Sequence, residues 1–298
     1  MRRPPGRSRR AAARPPARAL ARLAEELRDD GVHDDITTRA LLPGPRPGSA
    51  VILAESAGVL SGGTAAVHLA RSVGLGARLL VRDGAVLRRG QAVLRLSGDV
   101  RRILGVERTV LNTLMHLSGV ATATAAAVRA VDGKVAIYAT RKTLPGLKDL
   151  EKAAVVHGGG FPHRRDLSDG FLLKSRHLDL VTLPEAVRRL RASGALRRPL
   201  QVEVRSVRTA LDAVRAGAEA LLVDNLPPAG AARIVQALTD AGLRDDVWIE
   251  LSGGITPATA HRYVRCGADA LSLGGITHSA PSLPFHLRLV ASHGLRPA

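Results

Sequence analysis

Residues 140–177 read TRKTLPGLKDLEKAAVVHGGGFPHRRDLSDGFLLKSRH, a stretch that begins where one predicted strand ends and contains a second. The apolar run 135–138 leads into a Thr-Arg-Lys triplet at 140–142, and the apolar run 171–173 leads into Lys174. Cations therefore follow both predicted strands. Because ligands of α/β proteins bind at the carboxyl ends of the strands, the pattern indicates an anion-binding site.

Cationic side chains are concentrated in this stretch and lie beside three consecutive glycines, Gly158–Gly160. The cations are Arg141, Lys142, His163, Arg164, Lys174 and His177. A single Arg or Lys is usually a solvated surface residue. Six such residues, at strand ends and beside a glycine turn, favour instead a ligand that carries negative charge.

From residue 135 onward the chain alternates apolar strands with helices. Strands are predicted at Val135–Ala139, Gly170–Lys174, Leu200–Val204, Ala220–Asp224, Val247–Leu251 and Ala270–Leu273. Helices are predicted at Leu183–Ala192, Val207–Ala216, Gly230–Ala241 and Pro257–Cys266. Repeated strand–helix units predict a parallel sheet, and their number favours a barrel over an open sheet. Because an eighth strand is not evident, we predict an irregular α/β barrel of the TIM-like type.

Residues 20–117 show a different sequence pattern, in which short apolar runs are separated by turns. Strands are predicted at Ala50–Ala54, Val59–Ser61, Leu79–Arg82 and Ala92–Leu96, and helices from Leu20, at Ala65–Val73 and from Val100. This mixture predicts a separate N-terminal α+β domain, which precedes the barrel domain at residues 118–279.

The net charge of +18 and the isoelectric point near 11.5 raise the alternative of a basic module that binds nucleic acid. Eight arginines precede Glu25, the first acidic residue, so much of the excess charge belongs to the N-terminal segment. We predict that residues 1–19 form a disordered tail, which an over-long start-site assignment or a transit peptide would explain. The whole chain has one Trp, two Tyr and three Phe, so the stacking platforms of single-strand binders are missing.

Cysteine content and hydropathy indicate the compartment. Cys266 is the only cysteine, which excludes an intrachain disulfide and indicates a reducing environment. No apolar run approaches the roughly 18 residues that a membrane span requires. We therefore predict a cytoplasmic protein that has no membrane partner.

Further polar residues lie at the ends of the later strands. Glu203 lies within one predicted strand, and Asp224 closes the next. Their carboxylates suit Mg²⁺ or sugar hydroxyl groups, although a neighbouring Arg or Lys could neutralise either one. Glycine turns at 252–254 and 274–275 predict a phosphate site, because free backbone N–H groups before a helix bind anions.

Several motifs taken together resemble the quinolinate phosphoribosyltransferase family, also called carboxylating nicotinate-nucleotide pyrophosphorylase. The central motifs are Thr140-Arg141-Lys142-Thr143, Pro145-Gly146, Gly158-Gly159-Gly160 with His163-Arg164, Ser168-Asp169 and Lys174. The flanking motifs are Asp35-Ile36-Thr37-Thr38, Glu107-Arg108, Leu117-Ser118-Gly119-Val120-Ala121-Thr122, Val223-Asp224-Asn225 and Ser252-Gly253-Gly254-Ile255. The resemblance extends from Leu20 to the C-terminus.

The resemblance implies an N-terminal α+β sandwich domain, rejoined by a C-terminal helix at 280–298, and an irregular α/β barrel. It implies a homodimer in which Arg108 reaches the site of the partner subunit, and it leaves open whether dimers assemble further. The implied reaction joins quinolinate to phosphoribosyl pyrophosphate and gives nicotinate mononucleotide, pyrophosphate and CO₂, with Mg²⁺ as cofactor. The chain would then be a phosphoribosyltransferase of NAD biosynthesis.

The resemblance also assigns roles to the candidate residues. Substrate-binding residues are Arg108, Thr140, Arg141, Lys142, His163, Arg164 and Lys174, among which the guanidinium groups suit the two carboxylates of quinolinate. Phosphate-binding residues are Ser252, Gly253, Gly254, Gly274 and Gly275. Catalytic residues are Lys142, Lys174, Glu203 and Asp224. Of these, Glu203 and Asp224 are the metal ligands and stabilise positive charge at the ribosyl C1.

Two departures from the family pattern leave a second interpretation open. The family usually has an acidic residue, Asn and His after the lysine, whereas Ser, Arg and His follow Lys174 at 175–177. Pro162 stands where the family usually has Asn or another small polar residue before His163. This proline resembles a paralogous branch, encoded with molybdate-transport genes, that would use a different acceptor, whereas Lys174 favours the quinolinate branch.

Overall fold

The structure is a computed structural model that describes residues 16–193 and 199–290. Residues 1–15 of the predicted tail and residues 291–298 of the predicted C-terminal helix lie outside the described residues. The described chain divides into two compact units, neither of which is continuous in sequence. The N-terminal unit contains residues 16–125, 144–159 and 280–290, and the parallel-sheet unit contains the described residues of 126–143 and 160–279.

The elements after residue 135 follow the predicted alternation closely, whereas the strand predicted at Leu79–Arg82 is instead Gly76–Leu79. The strands are β1 Pro47–Ala54, β2 Gly58–Val59, β3 Gly76–Leu79, β4 Val86–Leu87, β5 Ala92–Asp99, β6 Ala136–Tyr138, β7 Phe171–Leu173, β8 Leu200–Val204, β9 Ala220–Asp224, β10 Trp248–Ser252, β11 Ala270–Ser272 and β12 Phe285–Val290. The α-helices are α1 Ala17–Asp29, α2 Ile36–Leu41, α3 Gly63–Ser72, α4 Val100–Ala130, α5 Lys148–His157, α6 Ser175–Leu178, α7 Leu183–Ala192, α8 Val207–Arg215, α9 Pro228–Asp240 and α10 Gly275–His278. The helix predicted at Pro257–Cys266 is a 3₁₀ helix, Ala260–Cys266, and α1 begins within the predicted tail.

The N-terminal unit contains an antiparallel sheet with the strand order β12-β1-β5-β3. The register of β1 with β12 runs from Ser49 opposite Val290 to Ala54 opposite Phe285. Residues 50–54 of β1 are all buried, so this central strand contributes a continuous part of the core. Together with the helices of the unit, the sheet gives the predicted mixture of α and β structure.

Phe285–Val290 form strand β12, where the sequence analysis predicted a helix. The sequence FHLRLV alternates apolar and polar residues, and this period of two suits a strand. β12 also pairs with an edge of β1 whose backbone N–H and C=O groups would otherwise lack partners. The C-terminal segment therefore joins the N-terminal unit through a strand.

α4 passes without interruption through the predicted domain boundary at residues 117 and 118. Buried residues recur along it at spacings of three and four, namely Ile103, Val106, Val110, Leu114 and Leu117. They form one apolar stripe, so no boundary interrupts the helix at that point. None of the helices in residues 16–193 and 199–290 combines the length and apolar character that crossing a membrane demands.

Residues 144–159 belong to the N-terminal unit, although the sequence analysis assigned them to the barrel domain. Within this segment, the fully buried Glu151 lies 2.9 Å from Nε2 of His116 on α4. The His157 ring likewise makes a hydrogen bond of 2.9 Å with Ser61. Buried polar groups are stable only when they are hydrogen-bonded, and these contacts explain why the segment packs here.

The parallel-sheet unit contains six parallel strands in the order β6-β11-β10-β9-β8-β7. All six were predicted, and the predicted bounds of β8 and β9 agree with the observed ones. A bridge between Tyr138 and Phe161 adds one extended residue beside β6. β6 and β7 are the edge strands, and among the described residues no pairing joins them into a closed barrel. The unit is an α/β fold of the predicted class.

We expect Gly119→Ala to lower the free energy of unfolding by about 1–3 kcal/mol, because the added methyl group overpacks a backbone contact. Gly119 lies in α4, where a Cβ would overlap the carbonyl oxygen of Pro281 and lie 3.1 Å from the carbonyl carbon. Urea denaturation followed by circular dichroism measures the change. Gly44→Ala is the control, since a Cβ there meets nothing within 4 Å. Equal effects in the two variants would contradict the packing explanation.

Candidate active site

The carboxyl ends of the parallel strands surround a cavity of about 310 Å³. Its polar and charged lining residues are Thr140, Arg141, Lys142, His163, Arg164, Lys174, Ser175, Arg176, Glu203, Arg205, Asp224, Asn225, Glu250, Ser252 and Ser272. Residues that follow the two edge strands, β6 and β7, line the same cavity. The sheet therefore curves, and five of the six cationic residues of the 140–177 stretch line this cavity, whereas His177 does not.

Some predicted site residues lie elsewhere. Among the described residues, the lining of this cavity does not include Gly253, Gly254, Gly274 or Gly275, which lie in the turns next to it. Arg108 lines a different cavity, of about 440 Å³, which lies within the N-terminal unit. One copy of the parallel-sheet unit thus gathers five of the six predicted cations and both predicted acids, without Arg108.

Parallel pairing places polar residues of neighbouring strands at one level. Asp224 pairs with Ser252, Ser252 with Ser272, and Ser272 with Tyr138, the last residue of β6. The backbone N–H of Asn225 also donates to the carbonyl oxygen of Ser252 at 2.9 Å. This row lies at the carboxyl edge of the sheet, directly before the loops that complete the cavity.

Arg164 is a buried cation of the cavity, with 8% of its surface exposed. Its Nη1 donates to the carbonyl oxygen of Gly170 at 3.2 Å. Burial, followed by the positive charge of Arg141, lowers the pKa of Arg164, while Glu250 and Asp169 oppose the shift. An anion between the two guanidinium groups would offset their repulsion, so the side of the cavity lined by Arg141 and Arg164 favours a carboxylate or a phosphate.

Glu203 and Asp224 form an acidic pair that Arg205 bridges. Nη2 of Arg205 lies 2.8 Å from Oδ2 of Asp224 and 3.6 Å from Oε1 of Glu203. Ser175 Oγ donates to Oε1 of Glu203 at 3.0 Å, and Asn225 Nδ2 donates to Oδ2 of Asp224 at 2.8 Å. Because 59% of the Arg205 side chain is exposed, another cation can compete with it for these carboxylates.

The acidic pair fits Mg²⁺ in its donor chemistry. Mg²⁺ is usually held by one or two carboxylates together with the phosphates of a substrate. In the part of the chain that the structure describes, no group of three or more His, Cys, Asp or Glu side chains is arranged to hold a metal. Glu203 and Asp224 supply two carboxylates, the number that such an ion usually takes from a protein.

The turn after β10 requires glycine at position 253. Gly253 has a φ of 96°, and a Cβ there would lie 2.6 Å from the backbone nitrogen of Asn225. Gly254 also has a positive φ, of 63°, but a Cβ there meets nothing within 4 Å. Glycine at 253 therefore lets the ends of β9 and β10 approach closely, where the N–H of Asn225 donates to the carbonyl oxygen of Ser252.

The turn after β11 supports Lys142. Thr277 Oγ1 donates to the carbonyl oxygen of Lys142 at 2.7 Å, and the backbone N–H of Lys142 donates to Thr140 Oγ1 at 2.9 Å. A Cβ on Gly274 would lie 3.0 Å from Cδ of Lys142. Glycine at this position therefore leaves room for the lysine side chain, which lines the cavity.

Arg205 and Glu250 are site residues that the sequence analysis did not identify. Glu250 is fully buried inside β10, where the neighbouring apolar residues gave no sign of a polar role. Arg205 follows Glu203 by two residues, and residues at that spacing point to the same face of a strand. That spacing was an available signal for a contact between Arg205 and the acidic pair.

The chain matches both domains of one known family. Residues 35–118 match the N-terminal domain of quinolinate phosphoribosyl transferase, and residues 120–288 match its C-terminal domain. The chain belongs to the quinolinate phosphoribosyltransferase family. The family resemblance drawn from the sequence motifs is thereby confirmed.

Relatives are similar to the chain over most of its length. The probable carboxylating nicotinate-nucleotide pyrophosphorylase of Methanothermobacter thermautotrophicus is 39% identical over 271 residues, which cover 90% of this chain and 97% of the relative. The carboxylating nicotinate-nucleotide pyrophosphorylase of Mycobacterium leprae is 40% identical over 266 residues, which cover 86% and 91%. The solved structure of nicotinate-nucleotide pyrophosphorylase from Francisella tularensis gives a TM-score of 0.85 at 29% identity and covers 93% and 98%. The family similarity thus extends over the polar residues of the cavity.

We expect Gly253→Ala to destabilise the protein by about 1–3 kcal/mol more than Gly254→Ala. Alanine is strained at both positions because φ is positive, and at Gly253 the added methyl group also meets the backbone nitrogen of Asn225. Denaturant unfolding followed by fluorescence of Trp248, the single tryptophan, measures both variants. If both variants lose the same stability, the turn adjusts and the close approach is not required.

Proposed function

We propose that the chain transfers the phosphoribosyl group of phosphoribosyl pyrophosphate to the ring nitrogen of quinolinate, with release of pyrophosphate and CO₂. The product is nicotinate mononucleotide, a precursor of NAD. The observation that carries the proposal is one cavity lined both by Arg141, Arg164 and Lys174 and by the carboxylates of Glu203 and Asp224. Such a cavity offers cations to an anionic acceptor and carboxylates to a reacting carbon that becomes positive.

The cationic wall suits quinolinate because this acceptor carries two carboxylates on a planar ring. Arg164 is buried and lies near the charge of Arg141, so each guanidinium gains from a bidentate carboxylate. Lys174 and Thr140 line the same cavity and offer further donors. Lys142 lies at the same wall, where its ammonium group can face either a carboxylate or the departing pyrophosphate.

The phosphorylated donor is assigned to the glycine turns and the acidic pair. Backbone N–H groups at Ser252, Gly253 and Gly254, and at Gly274 and Gly275, would bind the 5′-phosphate without adding bulk. Glu203 and Asp224 would hold Mg²⁺, which when bound supplies positive charge that offsets the charge of the pyrophosphate. The same carboxylates can accept hydrogen bonds from the ribose hydroxyl groups.

The proposed reaction depends on charge compensation by residues of this chain. As the bond between C1 of ribose and pyrophosphate breaks, C1 gains positive charge, which the carboxylates of Glu203 and Asp224 stabilise. The ring nitrogen of quinolinate then bonds to C1 and becomes positive. Loss of CO₂ from the adjacent carbon leaves an electron pair on that carbon. The positive ring nitrogen stabilises this electron pair, and the carbon then takes a proton from solvent. No covalent bond to the protein is needed, so catalysis rests on positioning.

The proposal includes a homodimer. Arg108 lies in a cavity of the N-terminal unit together with the polar side chains of Asn112 and His116. We assign Arg108 to the quinolinate carboxylates in the site of the partner subunit, because a third guanidinium would complete the recognition of a dicarboxylate. A cytoplasmic location is also proposed, on the ground that the only cysteine, Cys266, is a free buried thiol.

A second acceptor is also a candidate, because the cavity contains residues that depart from the family pattern. Ser175 and Arg176 both line it, and the buried Pro162 precedes His163. Arg176 adds a cation, which would suit an acceptor with a different arrangement of negative charge. The second candidate is a phosphoribosyltransferase of the same fold that acts without decarboxylation.

An assay with two acceptors tests the proposal. Purified protein is mixed with phosphoribosyl pyrophosphate, Mg²⁺ and either quinolinate or nicotinate, and both CO₂ and pyrophosphate are measured. We expect equal amounts of CO₂ and pyrophosphate with quinolinate and no turnover with nicotinate. Pyrophosphate release without CO₂ would favour the second acceptor, and no release with either compound would contradict the proposed function.

We expect Arg141→Ala to lower kcat/KM for quinolinate roughly 10- to 100-fold, because a charge-assisted contact contributes about 1.5–3 kcal/mol. Arg233→Ala is the control, since Arg233 is an exposed arginine on α9 outside the lining of the cavity. Steady-state kinetics with phosphoribosyl pyrophosphate in excess measure both variants. An unchanged kcat/KM in Arg141→Ala would remove Arg141 from the acceptor site.

A further inference from the structure

His163 is held in a backbone conformation that residues other than glycine rarely adopt. Its φ is 56°, and its side chain is buried directly beside Arg164. A positive φ outside glycine persists only when surrounding contacts hold it, and such residues cluster at functional sites. The contacts of the imidazole ring therefore indicate what the strained position does.

Both ring nitrogens of His163 are already hydrogen-bonded within the protein. The backbone N–H of Arg164 donates to Nδ1 at 2.6 Å, so Nδ1 must carry a lone pair. Nε2 lies 3.2 Å from Oε2 of Glu250, so the ring proton belongs on Nε2 and is donated to that carboxylate. His163 is thus the neutral Nε2–H tautomer, with no N–H left for a substrate.

Glu250 is a fully buried carboxylate on which several groups converge. Gln201 Nε2 also donates to its Oε2, at 3.0 Å. Oε2 of Glu250 therefore accepts hydrogen bonds from both Gln201 and His163.

The imidazole is also restrained from the side. The ring of Tyr138 meets it edge-on, with centroids 5.8 Å apart and an interplanar angle of 84°. Tyr138, Gln201 and Glu250 lie on β6, β8 and β10, which are alternate strands of the sheet. Side chains of alternate strands form one layer inside a curved parallel sheet, so this layer fixes His163 from below the cavity.

We propose that His163 is a positioning residue whose tautomer is fixed by Glu250 and whose Nδ1 fixes the backbone of Arg164, and that it does not bind substrate itself. The Arg164 guanidinium is then held ready for a carboxylate of the acceptor. The identity of that acceptor rests on the proposed function. The tautomer of His163 is independent of it.

The tautomer of His163 is measured without any substrate by nitrogen NMR of protein labelled in its histidines. A His163→Asn variant assigns the resonance by its disappearance. We expect a protonated Nε2 and an unprotonated Nδ1 near neutral pH, unchanged when quinolinate is added. An imidazolium, the opposite tautomer, or a change of protonation on quinolinate binding would overturn the proposal.

Kinetics test whether Glu250 acts through His163 on the acceptor site. We expect Glu250→Gln to raise KM for quinolinate roughly 10- to 100-fold while KM for phosphoribosyl pyrophosphate stays within a factor of about two. Asp269→Asn is the control for the loss of a carboxylate, because Asp269 pairs with Arg244 at 3.1 Å before β11 and accepts from the N–H of Ile249. It should lower stability without raising KM for quinolinate.

Substitutions of His163 separate positioning from direct binding, and they do not depend on the folding of Glu250→Gln. Asparagine tolerates positive φ, and its Oδ1 can accept from the N–H of Arg164. We expect His163→Asn to recover most of the quinolinate affinity that His163→Ala loses. Equal losses in both variants, or equal rises in both KM values for Glu250→Gln, would overturn the positioning role. If the tautomer is as expected but quinolinate is not turned over, the proposed function fails and the assignment of the tautomer stands.

Discussion

The candidate site depends on parallel strands that are paired in register, because this pairing brings the last residues of each strand to one edge. Asp224, Ser252 and Ser272 lie in one row, and the segments after the two edge strands close over it to form the cavity. No single loop builds the site. Residues such as Ser175 and Arg176 can therefore depart from the family pattern while the sheet and the row of polar residues are retained.

Charge decides what such a cavity binds. A buried cation is unfavourable unless it is paired, and Arg164 lies near the guanidinium of Arg141 while the carboxylate of Glu250 offsets part of the repulsion. Arg205 similarly forms salt bridges with the carboxylates of Glu203 and Asp224, and most of its side chain is exposed. The cavity therefore suits an acceptor whose negative charge faces Arg141 and Arg164. It also suits a reacting carbon that becomes positive near the carboxylates of Glu203 and Asp224.

The strands of the parallel sheet were predictable because each is a short apolar run with a helix behind it, and the cations of residues 140–177 marked the correct edge. The C-terminal strand was missed because the family resemblance implied a helix there, although the alternation within Phe285–Val290 was an available signal. Its pairing with the distant β1 is visible only in the fold. Glu250 was missed for a related reason: its partners His163 and Gln201 lie far away in the chain. Sequence thus predicts what local periodicity and strand ends determine, whereas buried polar contacts between distant strands require the fold.

A crystal structure with quinolinate bound tests most directly whether this edge of the sheet is the acceptor site. The account predicts quinolinate in the cavity, with its carboxylates within hydrogen-bond distance of Arg141 and Arg164 and its ring nitrogen facing Glu203 and Asp224. His163 should keep its contacts with Glu250 and with the N–H of Arg164. Quinolinate bound elsewhere, or bound in the cavity without contact to either guanidinium, would contradict it.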